Sequence, residues 1–295
     1  MSTGARVTEG PRTTDGSRMT DASRVTERTL AVWQGKVRIK VLSKGSGPAL
    51  VFFHGPWGFT WDAFLDELAR TFTVYAPAHP GTTPDAPDDV YHLDGIWDLV
   101  LCYDELLGAL GLDAAALVGH SFGGMVACEV AAAYPGRARR LALIDPLGLW
   151  RDSDRIVNWM MLEPSRMRAQ IFRDPDGAAA RQMFGGASEQ PEAEVAARIR
   201  LMWAMGATGK FIWPIPDKGL KKRIHRVKAP TLIVWGKDDR VVPPIYADEF
   251  AQRLPAARVQ TVDAAGHAPH LEQPAAVARM IGEFLNPDAQ RSERR

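Results

Sequence analysis

The segment Gly119-His120-Ser121-Phe122-Gly123 sets a serine between two glycines, directly after the apolar run AALVGH (115–120) and at the start of a helical pattern. A strand that turns sharply into a helix projects a serine hydroxyl over the edge of a sheet, provided the flanking positions carry no bulky side chains. The helix that begins there adds a favourable field for an anion forming beside the hydroxyl. The plainer alternative is a glycine-rich turn with a capping serine. A serine alone is a weak nucleophile: it needs a base to take its proton, and the base needs an acid to orient it. Downstream, WGKDDRVVP (235–243) carries Asp238 and Asp239 just past an apolar run, and AAGHAPHLEQP (264–274) carries His267 just past the next. The chain order serine, aspartate, histidine is one in which such triads occur.

A second segment with chemical potential is FFHGPWGFTW (52–61). An apolar strand breaks at His54-Gly55, and Pro56 follows, the one residue type without a backbone N–H. Loops of this kind donate amides to anions, and here one donor is missing.

The elements that must hold these groups alternate. LAVWQ and VRIKVL read as paired strands, followed by a turn at SKGSGP. ALVFF (49–53) and FTVYAP (72–77) are strand-like and enclose a helical pattern over 60–70. A helix over 94–111, the strand 115–120 and the strand RLALID (140–145) follow. PTLIVWG (230–236), a helix near 244–253, ARVQTVDAAGH (257–267) and a helix over 274–285 complete the pattern. Such alternation predicts an α/β fold: a mainly parallel, doubly wound sheet with helices on both faces. Between about Pro146 and Lys228 the alternation stops, and helical segments rich in Trp and Met take over. An insertion of roughly eighty residues is large enough to form a lid.

Residues 1–28 stand apart. Arg6, Arg12, Arg18 and Arg24 recur in a degenerate R-x-T-[D/E] repeat with almost no apolar content. Such a stretch buries too little surface to offset the entropy of ordering, so disorder is expected, with a docking role as the alternative. The domain plan is therefore a tail (1–28), a core (29–145 and 229–290) and a helical cap (146–228) inserted after the sixth strand.

The bulk composition narrows the function classes. Of 295 residues, 46% are apolar and 24% charged, and 36 Lys+Arg against 35 Asp+Glu leave a net charge of +1. No basic field points to nucleic acid. Cys102 and Cys128 lie in helix-like apolar segments and read as buried free thiols. The apolar runs are strand-sized, far below the ~20 residues of a membrane span, and the N-terminus lacks an apolar signal-peptide core. A cytosolic protein is expected. No His/Cys/Asp cluster has metal-ligand spacing, and the chemistry requires neither metal nor cofactor.

From about residue 30 to 286 the chain resembles the lidded members of the alpha/beta-hydrolase superfamily. In that family a strand often leads to G-x-x-D-x-V-x-P, which Gly236-Lys237-Asp238-Asp239 with Pro243 matches, and a later Gly-His carries the base, as Gly266-His267 does. The resemblance implies the fold and a hydrolytic triad Ser121–Asp239–His267. It also implies an oxyanion hole formed by Phe122 N–H and the residue after the His-Gly pair. That residue is Pro56, which departs from the pattern; Trp57 N–H is the nearest replacement if the loop shifts by one residue. Losing a donor outright costs on the order of 3 kcal/mol of transition-state stabilisation.

Each role has a rival. Asp238 adjoins Asp239 but faces elsewhere on an extended stretch. Asp145 ends the strand LALID, where some relatives place the acid. His270 reads as lid-facing or partly exposed. His79, His92 and His225 read as structural or solvated. The expected pocket includes His54 and Pro56 from the first loop, His120 beside the nucleophile, and Trp150, Trp159, Met160 and Trp203 from the insertion. Arg151, Arg155, Arg166 and Arg168 are candidate carboxylate binders but read mainly as solvated.

The expected function is a serine hydrolase of a carboxylic ester or related acyl compound of a hydrophobic small molecule. Cleavage of a C–C bond in a ketone is the alternative, weakened by His120 and PWG at positions where ring-cleavage-product hydrolases carry Asn and a Gly-rich loop. A non-hydrolytic lyase or biosynthetic use of the same scaffold is the other, favoured by Pro56 alone.

Overall fold

The computed structural model of the chain describes residues 23–184 and 191–286. The first strands show why sequence pattern becomes sheet. Strand β1 (Thr26–Val32) and strand β2 (Val37–Lys44) form a hairpin. In β2, Val37, Ile39 and Val41 alternate inward, as a half-buried strand requires. Most of the arginine repeat lies outside the described residues. Residues 26–28, expected in the tail, instead belong to β1, because β2 runs on to Lys44 and its end pairs with Thr26. The Thr26 hydroxyl donates to the Ser43 carbonyl at 3.1 Å.

Strands β3 (Ala49–Phe53), β4 (Thr73–Pro77), β5 (Ala115–His120), β6 (Ala138–Ile144), β7 (Thr231–Gly236) and β8 (Ala257–Val262) complete one sheet of order β1-β2-β4-β3-β5-β6-β7-β8. Pairings from β4 through β8 are parallel, and those of β2 with β1 and β4 are antiparallel. The central strands are near-continuous apolar runs because both faces are covered.

Their side chains feed two cores. Leu50 and Phe52 of β3 point to the side of helix α1 (Ala63–Ala69), which the last helix, Pro274–Leu285, also covers. Val51 and Phe53 point to the opposite side, covered by α2 (Ile96–Ala109) and α3 (Phe122–Ala133). This is the expected doubly wound α/β fold. Cys102 and Cys128 are buried and unpaired on those two helices, as expected.

The segment between β6 and β7 carries α4 (Pro164–Ile171), α5 (Ala178–Phe184) and α6 (Pro191–Ile212). It reaches across the loops that leave the sheet. The Thr208 hydroxyl of α6 donates to the Pro56 carbonyl at 3.2 Å, and the Trp203 indole N–H donates to the Gly81 carbonyl at 2.7 Å. Beyond β7 come α7 (Ile245–Arg253), α8 (Pro269–Glu272) and α9 (Pro274–Leu285). Among the described residues no helix is long and apolar enough to cross a membrane.

Where the chain returns to the sheet, Arg223 forks onto Glu129 of α3, with Nε–Oε2 at 2.8 Å and Nη2–Oε1 at 2.6 Å. Glu129 is fully buried and Arg223 keeps partial solvent contact. Removing the partner of a buried charge strands it, so Arg223→Ala should lower the unfolding free energy by about 3 kcal/mol. Arg223→Ala together with Glu129→Gln should recover most of that loss. Urea denaturation of the two variants measures both.

Candidate active site

The Ser121 position is defined first by backbone strain. Ser121 sits at φ 55°, ψ −115°, between β5 and the first turn of α3. A non-glycine residue in this region costs about 1–3 kcal/mol and persists only where its surroundings impose it. Here they do. The Ser121 N–H donates to the Ile144 carbonyl at 2.9 Å, and the Ser121 carbonyl accepts from Leu147 N–H at 3.0 Å. The flanking glycines allow the close approach: a Cβ on Gly119 would lie 2.2 Å from the Gly123 carbonyl oxygen, and one on Gly123 would lie 2.0 Å from that of Phe53. The expected elbow geometry is present. Phe122 opens α3, so its N–H is among those a helix leaves without an internal partner.

The exit loops of β7 and β8 bring two more groups to this edge. The Ser121 hydroxyl donates to His267 Nε2 at 2.9 Å, and His267 Nδ1–H donates to Asp239 Oδ2 at 2.7 Å. Asp239 Oδ1 accepts from Val241 N–H at 2.8 Å and Val242 N–H at 2.9 Å, which locks the carboxylate. All three side chains are buried. The His267 N–H donates to the Ile171 carbonyl at 2.7 Å, so α4 helps to hold the loop that carries the imidazole. His120 Nε2–H donates to the His267 carbonyl at 2.7 Å.

The rivals separate. Asp238 faces outward, paired with Arg173 at 2.6 Å. Asp145 lies within the cluster: Gly236 N–H donates to its Oδ1 at 2.9 Å, while Oδ2 is buried without a hydrogen-bond donor. Burial first, and the Asp239 charge second, hold the Asp145 carboxyl well above the usual carboxylate range. Asp145, Asp239 and His267 are also the one group of potential metal ligands found among the described residues. The 2.7 Å between His267 Nδ1 and Asp239 Oδ2 is a hydrogen-bond spacing. Two ligands of a tetrahedral zinc ion at ~2.1 Å would stand about 3.4 Å apart, so the cluster fits a proton better than a metal.

A cavity of about 660 Å³ lies next to His267, with Trp57 and His120 between. Phe52, Trp57, Phe59 and Trp61 line it, together with His54, His120 and His270. Trp57 and His120 both line this space and touch the imidazole, their ring centroids 5.5 Å and 5.3 Å from that of His267. Trp57 also packs on Trp159 at 5.6 Å. Trp150, Trp159 and Met160 line a second cavity of about 450 Å³ and not the first. Of the expected pocket residues, only His54 and His120 line the first cavity; Pro56 and Trp203 line neither. Trp203 is excluded because its indole is spent on Gly81 at the protein surface. Pro56 is buried but turns its carbonyl to Thr208. His270, read from sequence as lid-facing or partly exposed, is buried against Phe64 and His120. Of the arginines, Arg151 is bound to Asp154 and Glu249, Arg168 lies over the Phe184 ring, and Arg155 lines the second cavity.

A network of neutral histidines surrounds the site. The His79 backbone N–H donates to His54 Nε2 at 3.0 Å and His54 Nδ1–H donates to the Gly55 carbonyl at 2.6 Å, while His79 Nε2–H donates to the His54 carbonyl at 2.8 Å and the Tyr103 hydroxyl donates to His79 Nδ1. Each ring thus uses one nitrogen as donor and one as acceptor, the pattern of neutral imidazole. Burial lowers His54 to about 4 and His270 to about 3, and pushes His79 and His120 well down. Sequence reading missed this network because it depends on enclosure, which no local pattern encodes.

The sign of the pH effect follows. Unfolded histidines bind protons near pH 6.5, whereas the folded rings resist them to about pH 4, so the unfolded state holds more protons in that window. The stabilisation is complete above about pH 6.5 and is lost progressively as pH falls toward about 4. Urea midpoints should therefore drop across this interval, and His270→Phe should reduce the slope by about one proton.

A parallel sheet with a strained serine at the β5–α3 turn and a buried Ser–His–Asp chain defines an α/β protein of the hydrolase type. Residues 50–280 match the family model described as the alpha/beta hydrolase family, and the chain belongs to that family and is a hydrolase. It is similar to a 2-hydroxy-6-oxo-6-phenylhexa-2,4-dienoate hydrolase from Burkholderia cepacia, 26% identical over 84% of this chain and 91% of that protein. It is similar to a monoacylglycerol lipase from Homo sapiens, 26% identical over 82% of this chain and 76% of that one. Among solved structures, a bacterial membrane phospholipase A superposes with a TM-score of 0.73 at 21% identity, covering 89% of this chain and 86% of that chain.

Proposed function

We propose that this chain hydrolyses carboxylic esters, or related acyl compounds, of hydrophobic small molecules through Ser121, His267 and Asp239. The observation that carries this reading is the unbroken, buried hydrogen-bond chain from the Ser121 hydroxyl through His267 to Asp239, separated from an aromatic-lined cavity only by Trp57 and His120, which line that cavity and pack on His267. Ser121 attacks the acyl carbon as His267 accepts its proton. The protonated ring then delivers that proton to the leaving alcohol, and Asp239 keeps the ring in its Nδ1–H tautomer. Water, activated by the same His267, clears the acyl-enzyme. Phe122 N–H and Trp57 N–H are the proposed donors to the oxyanion. Residues 146–228 act as the cap: α6 bears on the loops after β3 and β4, and Trp57 covers the imidazole.

The cleavage of a C–C bond in a ketone is a second reading, favoured by the similarity to the Burkholderia cepacia enzyme. The two readings differ in substrate and share the nucleophile.

Purified protein should hydrolyse p-nitrophenyl esters and be labelled by a fluorophosphonate, and Ser121→Ala should abolish labelling and reduce turnover by about 10³-fold or more. Absence of both turnover and labelling in the wild-type protein, across acyl chain lengths, sinks the ester reading. The oxyanion assignment has its own test. If Trp57 N–H already serves, Pro56→Ala, which restores an amide at the preceding position, should change kcat by less than about threefold. A gain of about 10²-fold would mean that the site lacked a second donor.

A further inference from the structure

We propose that Asp145 is a positioning residue for the triad: a neutral carboxylic acid whose Oδ2–H donates to the Asp239 carboxylate and fixes its charge and orientation toward His267. The proposal rests on the reading of Ser121, His267 and Asp239 as a catalytic triad.

The argument is one of acceptors without a donor. Asp145 Oδ1 takes the Gly236 N–H at 2.9 Å, but Oδ2 is fully enclosed and meets no donor. One polar side-chain atom from each of Asp145, Asp239 and His267 lies within 4.8 Å of the others. The charged groups facing Asp145 are Asp239 from the β7 loop and Glu272 from α8, with His267 from the β8 loop beside them. Glu272 is itself occupied, accepting from Gly266 N–H at 2.6 Å and Arg173 N–H at 2.9 Å. Among the described residues no lysine or arginine faces Asp145. Two buried carboxyl groups sharing a site without a counter-ion are resolved by a proton on one of them. Asp239 already accepts two backbone amides and the imidazole N–H, which stabilise its charged form; Asp145 has one amide. The proton therefore belongs to Asp145.

The backbone supports a fixed role. Asp145 sits at φ 42°, an unusual conformation for a non-glycine residue, held by its own N–H donating to the Val234 carbonyl at 3.0 Å. That geometry sets the carboxyl between β6 and β7, behind the acid and away from the cavity, so its effect passes through Asp239. By sharing a proton with Asp239, Asp145 tempers the negative charge that the imidazolium sees during turnover, and so tunes how readily His267 takes and returns the serine proton.

Two measurements test this. Infrared difference spectra at mildly alkaline pH should show the carbonyl stretch of a protonated carboxylic acid in the wild-type protein, lost in Asp145→Asn. This readout needs no turnover, so it stands even if the hydrolase reading fails on every ester. The second is the kcat/KM profile for p-nitrophenyl butyrate. Asp145→Asn keeps one donor and one acceptor and should stay within about threefold of wild type with its acid limb in place. Asp145→Ala leaves the Asp239 charge untempered, so it should lose about tenfold and move the acid limb to higher pH. A merely structural role would lower activity at every pH without moving that limb. The proposal is overturned if the acid band is absent or survives in Asp145→Asn. It is equally overturned if Asp145→Asn moves the acid limb down by about one pH unit, since that would mean a negative charge had been removed.

Discussion

The left-handed conformation of Ser121 is the constraint on which the site depends. It holds only because β5, β6 and α3 meet without side chains in the way. Gly119 and Gly123 let the backbone fold onto itself and onto Phe53, and the amide and carbonyl of Ser121 are tied to Ile144 and Leu147. The strain is small against the packing that imposes it, so the hydroxyl has one place to point. His267 and Asp239 then need only to be delivered to that place. Close contact between the β7 and β8 exit loops does this: a Cβ on Gly236 would lie 1.9 Å from the Gly266 carbonyl oxygen.

The second governing fact is enclosure. Ser121, His267, Asp239 and Asp145 are all buried, and the histidines around them are held neutral by burial. In such surroundings each hydrogen bond is electrostatically stronger than in water, and each unmatched polar atom is costlier. This is why Asp145 matters. An unpaired carboxylate in that position would be intolerable, whereas a neutral acid beside an acceptor is a bond. The same enclosure makes Trp57 consequential, because its ring is both cavity wall and cover for the imidazole.

The segment between β6 and β7 is tied to the site by more than contact. Ile171 accepts the His267 N–H, Thr208 binds the loop of Pro56, and Arg223 locks the returning chain to α3. These bonds couple the segment to the backbone of His267, to the loop after β3 and to α3. Its aromatic and methionine side chains divide. Trp159 and Met205 are buried, whereas Met161, Met202 and Trp203 face outward. Composition alone does not assign these facings, because on a helix the facing of each residue is set by how the helix docks.

The alternation of strands and helices, the serine between two glycines, and the placement of Asp239 and His267 at strand exits were legible in the residues themselves. Each is carried by local pattern: apolar runs of strand length, glycines flanking Ser121, and Asp239 and His267 placed just after strands. The start of β1 at Thr26 was not legible, because a polar edge strand is recruited by its partner rather than by its own composition. The preference for Asp239 over its neighbour Asp238 rests on the spacing G-x-x-D-x-V-x-P, and the turn after β7 sends Asp238 to Arg173 and Asp239 to His267. The neutral histidine network and the donorless oxygen of Asp145 likewise belong to tertiary structure alone. Sequence names the groups that can ionise; whether they do depends on the charges, donors and water that folding leaves around them.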